Sequence, residues 1–295
     1  MKKIIYQIAI FISPKLFFSL QHFRIHKKYG SHFYRINLKN PRTFNEKILY
    51  SKLIRQHDGL YPLVDKESVK EIVGAVIGQE YIIPTQMVVN HELTEDNIKE
   101  LNPPFIMKPT HLSGLVMLVV NFEDFDLKRV NKWIRKSLKG NLHNTTGEQQ
   151  YKGINPKIII ENSIGTNLLD YKFFCFHGKV HFIQVDHDRH TFHTRSFYTR
   201  DWDKLNISTM YPIMQEKIKE PEGLSQMISI AEKLSKSFDF LRVDLYYTDG
   251  QIYFGELTFH HGSGYEPFTT YRDDLFFGDQ WKSFYKYDSR SIDLL

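Results

Sequence analysis

Apolar and polar residues alternate most tightly between Leu241 and Phe259. Leu241, Val243, Leu245, Tyr247, Tyr253, Leu257 and Phe259 take odd positions; Arg242, Asp244, Glu256 and Thr258 take even ones. A period of two marks a half-buried strand, and Asp249-Gly250 is a hairpin turn signal between two such runs. A three-residue loop, Thr248 to Gly250, keeps one strand's apolar face on the other's. A two-residue loop sets apolar against polar, which a half-buried hairpin disfavours. The expected hairpin therefore brings Asp244 and Glu256 together beside Arg242.

Similar patterns predict the remaining elements. Thr43 and Glu46 form a capping box that opens a helix. Leu63-Val64-Asp65-Lys66 leads into a second, with Val69, Ile72 and Val73 at helical spacing. Residues 81–84, 105–109 and 115–120 read as strands, and 125–138 as a helix with Val130, Trp133, Ile134 and Leu138 on one side. Ile158-Ile159-Ile160 is a buried strand ending at Glu161. Residues 171–176 and 180–185 form a hairpin about His177-Gly178, and 224–238 a helix. Strands following strands, with helices between, indicate a layered α+β or α/β architecture.

Composition narrows the function classes. A chain of 295 residues can bury a sizeable core in one large or two to three small domains. The net charge of +5 fits an anionic substrate or a membrane surface and is too mild for nucleic acid. The single cysteine, Cys175, excludes an internal disulfide and a multi-cysteine zinc site, and its apolar neighbours indicate a buried, inert thiol. Lys2-Lys3 precede an apolar run interrupted by Gln7, Ser13 and Pro14. That run is too short to span a bilayer and has no small-residue cleavage site. It is either a short helix packed on the body or an interfacial anchor over residues 1–20.

Several positions carry candidate chemistry. Lys108 ends a strand just before Ser113-Gly114, where an ammonium beside free backbone N–H groups can cradle a phosphate; a plain loop is the alternative, and no Walker A sequence is present. Glu161 leaves its apolar strand either to meet a ribose or an amine, or simply to reach water. Asp170 and Lys172 share a strand face as an ion pair or a ligand contact. Between Asp186 and Arg195 three histidines and two aspartates invite a metal. Arg189 and Arg195 oppose a cation there, so Arg189, His193 and Arg195 are expected to contact an anionic substrate. His260-His261, beside Gly262-Ser263-Gly264, read as a flexible rim of the site or a solvated turn. Asp244 and Glu256 beside Arg242 suit a magnesium ion clamping a polyphosphate, or else a surface ion pair.

The order of these signals resembles the ATP-grasp superfamily, and more closely its TupA-like family, linked to teichuronopeptide and capsular polysaccharide synthesis. It is carried by Asn40-Pro-Arg-Thr-Phe-Asn-Glu-Lys47, Asp65-Lys66 with Lys70, Ile106-Met-Lys-Pro109, Asp170-Tyr-Lys-Phe-Phe174, Phe197-Tyr198 with Asp201-Trp202-Asp203, Arg242-Val-Asp-Leu-Tyr246 and Phe254-Gly-Glu-Leu-Thr-Phe259. The resemblance runs from about Tyr34 to about Trp281. It implies an α+β ATP-grasp fold, two α+β subdomains clasping ATP after a helical N-terminal region. The implied division is 1–60, 61–104, a lid at 105–165 and a C-terminal subdomain with the metal site at 166–295.

By that resemblance Lys66 and Lys108 hold the phosphates of ATP, and Ser113 and Gly114 belong to the loop above them. Glu161 matches the hinge that holds adenine and ribose, and Asp170 or Lys172 lies near the ribose. Asp244 and Glu256 match the magnesium carboxylates, with Thr258 where many members place a metal-binding asparagine. Arg242 stabilises the transferring phosphoryl group. His260-His261 replace an expected Thr-Pro and bear on acceptor choice. The implied activity is Mg2+- and ATP-dependent carboxylate–amine ligation through an acyl phosphate, on a uronic acid or amino acid of a bacterial surface glycan. The implied setting is cytoplasmic, with or without contact to the inner membrane, and without nucleic acid. A kinase, a glycosyltransferase using Asp186-His-Asp188 or Asp201-Trp-Asp203, and a non-catalytic assembly protein are the alternatives.

Overall fold

The structure, a computed structural model, describes residues 13–31, 33–54, 59–123, 125–165, 168–188 and 192–284. Arg189 and most of the N-terminal apolar run lie outside the described residues. The helices are α1 (Pro14–Tyr29), α2 (Phe44–Ile54), α3 (Ser68–Ile77), α4 (Glu95–Lys99), α5 (Leu127–Leu138), α6 (His143–Thr146), α7 (Leu224–Ser235) and α8 (Tyr271–Gly278). The strands are β1 (Thr85–Val89), β2 (Phe105–Pro109), β3 (Met117–Val119), β4 (Ile158–Asn162), β5 (Asp170–Phe176), β6 (Lys179–His187), β7 (Thr194–Thr199), β8 (Lys204–Leu205), β9 (Phe240–Thr248) and β10 (Gln251–Thr258). They form two antiparallel sheets, β1-β4-β2-β3 and β10-β9-β5-β6-β7-β8.

Local sequence explains where the helices begin. Thr43 Oγ1 accepts from the Glu46 amide at 3.2 Å, and Glu46 Oε2 accepts from the Thr43 amide at 3.0 Å, closing the expected box at the start of α2. Asp126 caps α5 by accepting from the Lys128 and Arg129 amides at 2.9 and 3.1 Å. α5 then lays Val130 and Ile134 on the smaller sheet, against Phe105, Met107, Ile158 and Ile160. At the far edge of that sheet, three-residue β3 is open, and its surroundings expose Leu115, Val116, Leu118 and Val120.

The larger sheet has two unlike faces. Tyr171, Phe173, Cys175, Val243 and Leu245 point to one side and pack with Val69 and Val73 of α3 and Met227, Ala231 and Leu234 of α7. Burial pushes the Cys175 thiol up to about 12, as an inert core position requires. The opposite face is split. Phe174, Phe176, Phe182, Phe197 and Phe240 meet Phe44 and Ile48 of α2, Phe277 of α8 and Trp281. The other end of the same face carries the charged residues.

Two expectations are corrected. Thr248 pairs with Gln251, so the hairpin loop has two residues, not three. Asp249 and Gly250 take φ of 52° and 75°, the doubly left-handed turn that matches strand twist. An extra residue, Gly255, then bulges between Phe254 and Glu256, and beyond it Glu256 faces Asp244. The bulge repairs the face mismatch that a two-residue loop creates. It also puts Tyr253 opposite Tyr246 on the polar side, while Ile252 and Phe254 join the core. The second correction concerns residues 81–84. A 3-10 turn, Gln79–Tyr81, comes first, and β1 starts only after Pro84, whose ring removes a ladder donor.

Candidate functional site

The charged end of the larger sheet is a row of opposed residues. Glu256 faces Asp244, Asp244 faces Lys172, and Lys172 faces Gln184; beside them Asp170 faces Asp186, and Asp186 faces Arg195. Residues directly opposed in an antiparallel ladder share a face, so five strands deliver this row to one surface. Lys172 Nζ lies 2.5 Å from Asp170 Oδ2 and 2.7 Å from Asp244 Oδ2. Arg242 donates from Nε and Nη2 to the two oxygens of Asp244 at 2.6 and 2.7 Å, and from Nη2 to Glu256 Oε1 at 2.8 Å. Its Nη1 lies 2.8 Å from His261 Nδ1. A guanidinium only donates, so Nδ1 is the acceptor and the ring proton is assigned to Nε2, 3.4 Å from Glu266 Oε1. Burial, then Arg242 and Arg195 among its neighbours, depress the His261 pKa against the pull of Glu266, in keeping with a neutral ring.

Electrostatics sort these groups. Burial would raise the Glu256 carboxyl, but Arg242, Lys66 and Lys172 outweigh it and hold Glu256 at about 2. Burial pushes the Asp244 pKa up, while Arg242, through one bidentate contact, and Lys172 pull it back. Lys172 would lose its proton more readily through burial; Asp170 and Asp244 reverse that. Thr258 Oγ1 lies 3.3 Å from Glu256 Oε1.

A second cluster rises from the smaller sheet. Lys108 on β2 approaches Glu161 Oε2 on β4 to 2.7 Å, while Lys70 from α3 pairs with Oε1. Lys70 also donates to the Ile83 carbonyl at 2.6 Å and Thr85 Oγ1 at 2.7 Å. Burial would raise Glu161; Lys108 and Lys70 more than offset it. Lys66 donates to the Leu112 carbonyl at 2.6 Å, and burial lowers its pKa despite the attraction of Glu256. Lys66 therefore stands between the two clusters, felt by Glu161 on one side and Glu256 on the other. Ser113 and Gly114 form the exposed turn between β2 and β3, where Gly114 takes φ of 77° with open space around it.

The structure thus brings together Lys66, Lys108, Glu161, Asp170, Lys172, Arg242, Asp244, Glu256 and Thr258. The histidine and arginine segment is placed differently from expectation. Arg195 is buried, donating to Asp186 at 2.6 and 3.3 Å and pairing with Glu266, with its guanidinium 4.8 Å from the Tyr211 ring. Its charge is committed inside the protein. His193 lies 3.2 Å from Asp186, and its ring centroid is 3.7 Å from that of Tyr211 at a tilt of 34°. His260 and His261 are buried and not a flexible rim: His260 Nδ1 is 3.0 Å from Gln150 Nε2, and His261 packs 4.8 Å from the Phe174 ring.

Sequence reasoning left several contributors without a role. Lys70 follows Lys66 by one helical turn, which is the signal that could have joined it to the site. Glu266, Glu148 and Lys52 have no such signal, because their partners come from distant segments. Lys52 is buried, donates to the Ser263 carbonyl and Oγ at 3.1 and 2.8 Å, and burial lowers its pKa to about 8. Among the described residues no group of three or more His, Cys, Asp or Glu could hold a metal ion. Magnesium, however, needs only one or two carboxylates when phosphate oxygens and water complete its shell. Among the described residues Glu256 Oε2 has no hydrogen-bond partner and is the open carboxylate oxygen for an ion shared with a phosphate, whereas both Asp244 oxygens are engaged by Arg242 and Lys172.

The profile described as TupA-like ATPgrasp matches residues 46–282. The chain belongs to the TupA-like ATP-grasp family. Its fold class is accordingly α+β, in the ATP-grasp arrangement. Solved structures it resembles include the D-alanine–D-alanine ligase of Bacillus anthracis complexed with ATP (18% identity, 66% of this chain and 53% of that one, TM-score 0.40). Others are an L-amino acid ligase of Bacillus licheniformis (14%, 74% and 46%, TM-score 0.40) and the N5-carboxyaminoimidazole synthetase of Staphylococcus aureus complexed with ADP (16%, 66% and 44%, TM-score 0.42). The chain spans about half the length of these proteins. No curated protein matches it. No helix among the described residues is long and apolar enough to cross a membrane.

Proposed function

We propose that this ATP-grasp protein is a magnesium- and ATP-dependent carboxylate–amine ligase acting on a uronic acid or amino acid of a bacterial cell-surface polysaccharide. One observation carries the reading. Lys66, held on the Leu112 carbonyl, interacts electrostatically with both Glu161 and Glu256, which supports reading the Lys108–Glu161 and Arg242–Asp244–Glu256 clusters as two sides of one site. Family membership supports ATP as the nucleotide, and the glycan acceptor rests on the family alone.

In this reading the γ-phosphoryl group of ATP passes to a carboxylate oxygen of the acceptor. The bond to the bridging oxygen of ADP breaks, leaving ADP and an acyl phosphate. An amine then attacks the acyl carbon, phosphate departs, and the new amide nitrogen gives up a proton. Lys66 and Lys108 bind and orient the phosphates, and Arg242 offsets charge on the transferring group. Asp244, Glu256 and the Thr258 hydroxyl would hold magnesium, which supplies Lewis-acid charge at the phosphate oxygens. Lys172 keeps Asp244 in place. Arg195 ties β6 and β7 to Glu266, leaving His193 on Tyr211 as the segment's contact for an anionic acceptor.

ADP release measured against a panel of uronic acids and amino acids tests the reading. Turnover should require both a carboxylate and an amine, and Asp244→Asn or Glu256→Gln should abolish it while the fold persists. Full turnover in both variants sinks the metal assignment, and turnover without an amine makes the protein a kinase.

A further inference from the structure

The chain's charge is concentrated at one end. The first acidic residue is Glu46, and nine Lys or Arg precede it. The rest of the chain carries more acids than bases, so the net charge of +5 lies entirely in the N-terminal region. Much of that region is α1 and the strap that follows it, residues 33–43. α1 packs Phe17, Phe18, His22 and His26 inward. Its outer face exposes Leu16, Leu20 and Phe23, at 70%, 47% and 45% of full exposure, one helical stripe. Phe33 extends this patch, its ring 5.3 Å from Phe23. Lys15, Arg24, Lys27 and Lys28 flank the stripe.

Beside the stripe, α1 and the strap enclose a groove of about 500 Å³ lined by Lys15, Ser19, Arg35, Asn37 and Lys39. Cations in a groove next to exposed aliphatic and aromatic groups match the two halves of a phospholipid: an anionic headgroup and the upper acyl region. A second copy of the chain would bring the same positive charge against it and be repelled. Upstream, Lys2 and Lys3 precede Ile4, Ile5, Ile8, Ile10, Phe11 and Ile12, and the sequence continues the same chemistry.

We propose that the outer face of α1, with the Lys15–Arg35–Lys39 groove, docks this protein on an anionic lipid surface. The groove takes the headgroup phosphates, and Leu16, Leu20, Phe23 and Phe33 enter the interface. This contact is independent of the ligase reading, since none of these residues belongs to the nucleotide site.

The test is co-sedimentation of the full-length chain with vesicles of phosphatidylcholine alone or with about 30 mol% phosphatidylglycerol. The protein should bind only the anionic vesicles, and added salt should release it. Each cation removed from an anionic surface weakens binding about fivefold, so Lys15→Gln, Arg35→Gln and Lys39→Gln together should cost about a hundredfold. Leu20→Glu with Phe23→Glu should abolish binding. All these side chains border solvent, and circular dichroism checks the fold; if the glutamate variant unfolds, the glutamine variant carries the test. Equal binding to neutral vesicles, wild-type binding by the folded variants, or a dimer that the glutamate variant dissociates would each overturn the proposal.

Discussion

Arg242 shows how much one side chain can organise. Its fork holds Asp244 from both sides, its second amine reaches Glu256, and its remaining nitrogen sets the His261 tautomer. Lysine has the charge but not the fork. Arg242→Lys should therefore keep the fold but lower kcat about a hundredfold, with less effect on the KM for ATP, as steady-state kinetics would show. Asp274 makes a different point. It accepts from Tyr34 at 2.5 Å and from Asn45 at 3.0 Å, yet burial still raises it to about 6. The folded state then holds a proton that the unfolded chain releases above its ordinary carboxylate pKa. Stability from this group is present at low pH and is lost as pH climbs toward about 6. The change is on the order of 2–3 kcal/mol. Asp274→Asn should remove that slope, read as the difference between wild-type and variant urea midpoints at several pH values. Glu256 and Glu266, both held at about 2, tilt the other way and lose their contribution as pH falls below the ordinary glutamate range.

The β9–β10 hairpin depends on one extra residue. A Cβ on Gly255 would meet the Asp244 carbonyl at 3.0 Å and the Tyr246 ring at 3.2 Å. Gly255→Val should destabilise the protein by about 1–3 kcal/mol and cut ATP turnover more than its melting point implies. Deleting Gly255 should restore continuous pairing with Glu256 still opposite Asp244, and turnover should survive. Much of the site's placement was legible from alternation, because Arg242, Asp244, Glu256 and Thr258 had to avoid the core. The bulge was not, since its only signal is a glycine in an otherwise regular run. β2 read cleanly: Phe105-Ile106-Met107 is a short apolar run and Pro109 ends it. The separate strand β7 did not, because Arg195 and Ser196 look solvated until Asp186, Glu266 and the neighbouring strands surround them. Thr43 and Glu46 were legible because a capping box is local, whereas the Lys70–Glu161 pair joins segments that only folding brings together.

Across the whole molecule, two sheets of unlike character meet at the lysines of residues 66–108. Ligand that binds both should couple them. Saturating magnesium and ATP at about a hundred times Kd should add about 2.7 kcal/mol of stability, and the melting curve should shift upward as one transition. Glu161→Gln should weaken that shift by leaving Lys70 and Lys108 without their counter-charge. The same architecture leaves a hazard on its flank. β3 is an open border whose neighbourhood shows leucine and valine to water, the makings of intermolecular strand pairing. Its three residues offer a foreign chain too few rungs to climb. Substitutions that straighten the Ser113-Gly114 turn would lengthen that ladder, and concentrated samples should then scatter light and bind thioflavin. Brevity, here, is what leaves a greasy margin little for another chain to grip.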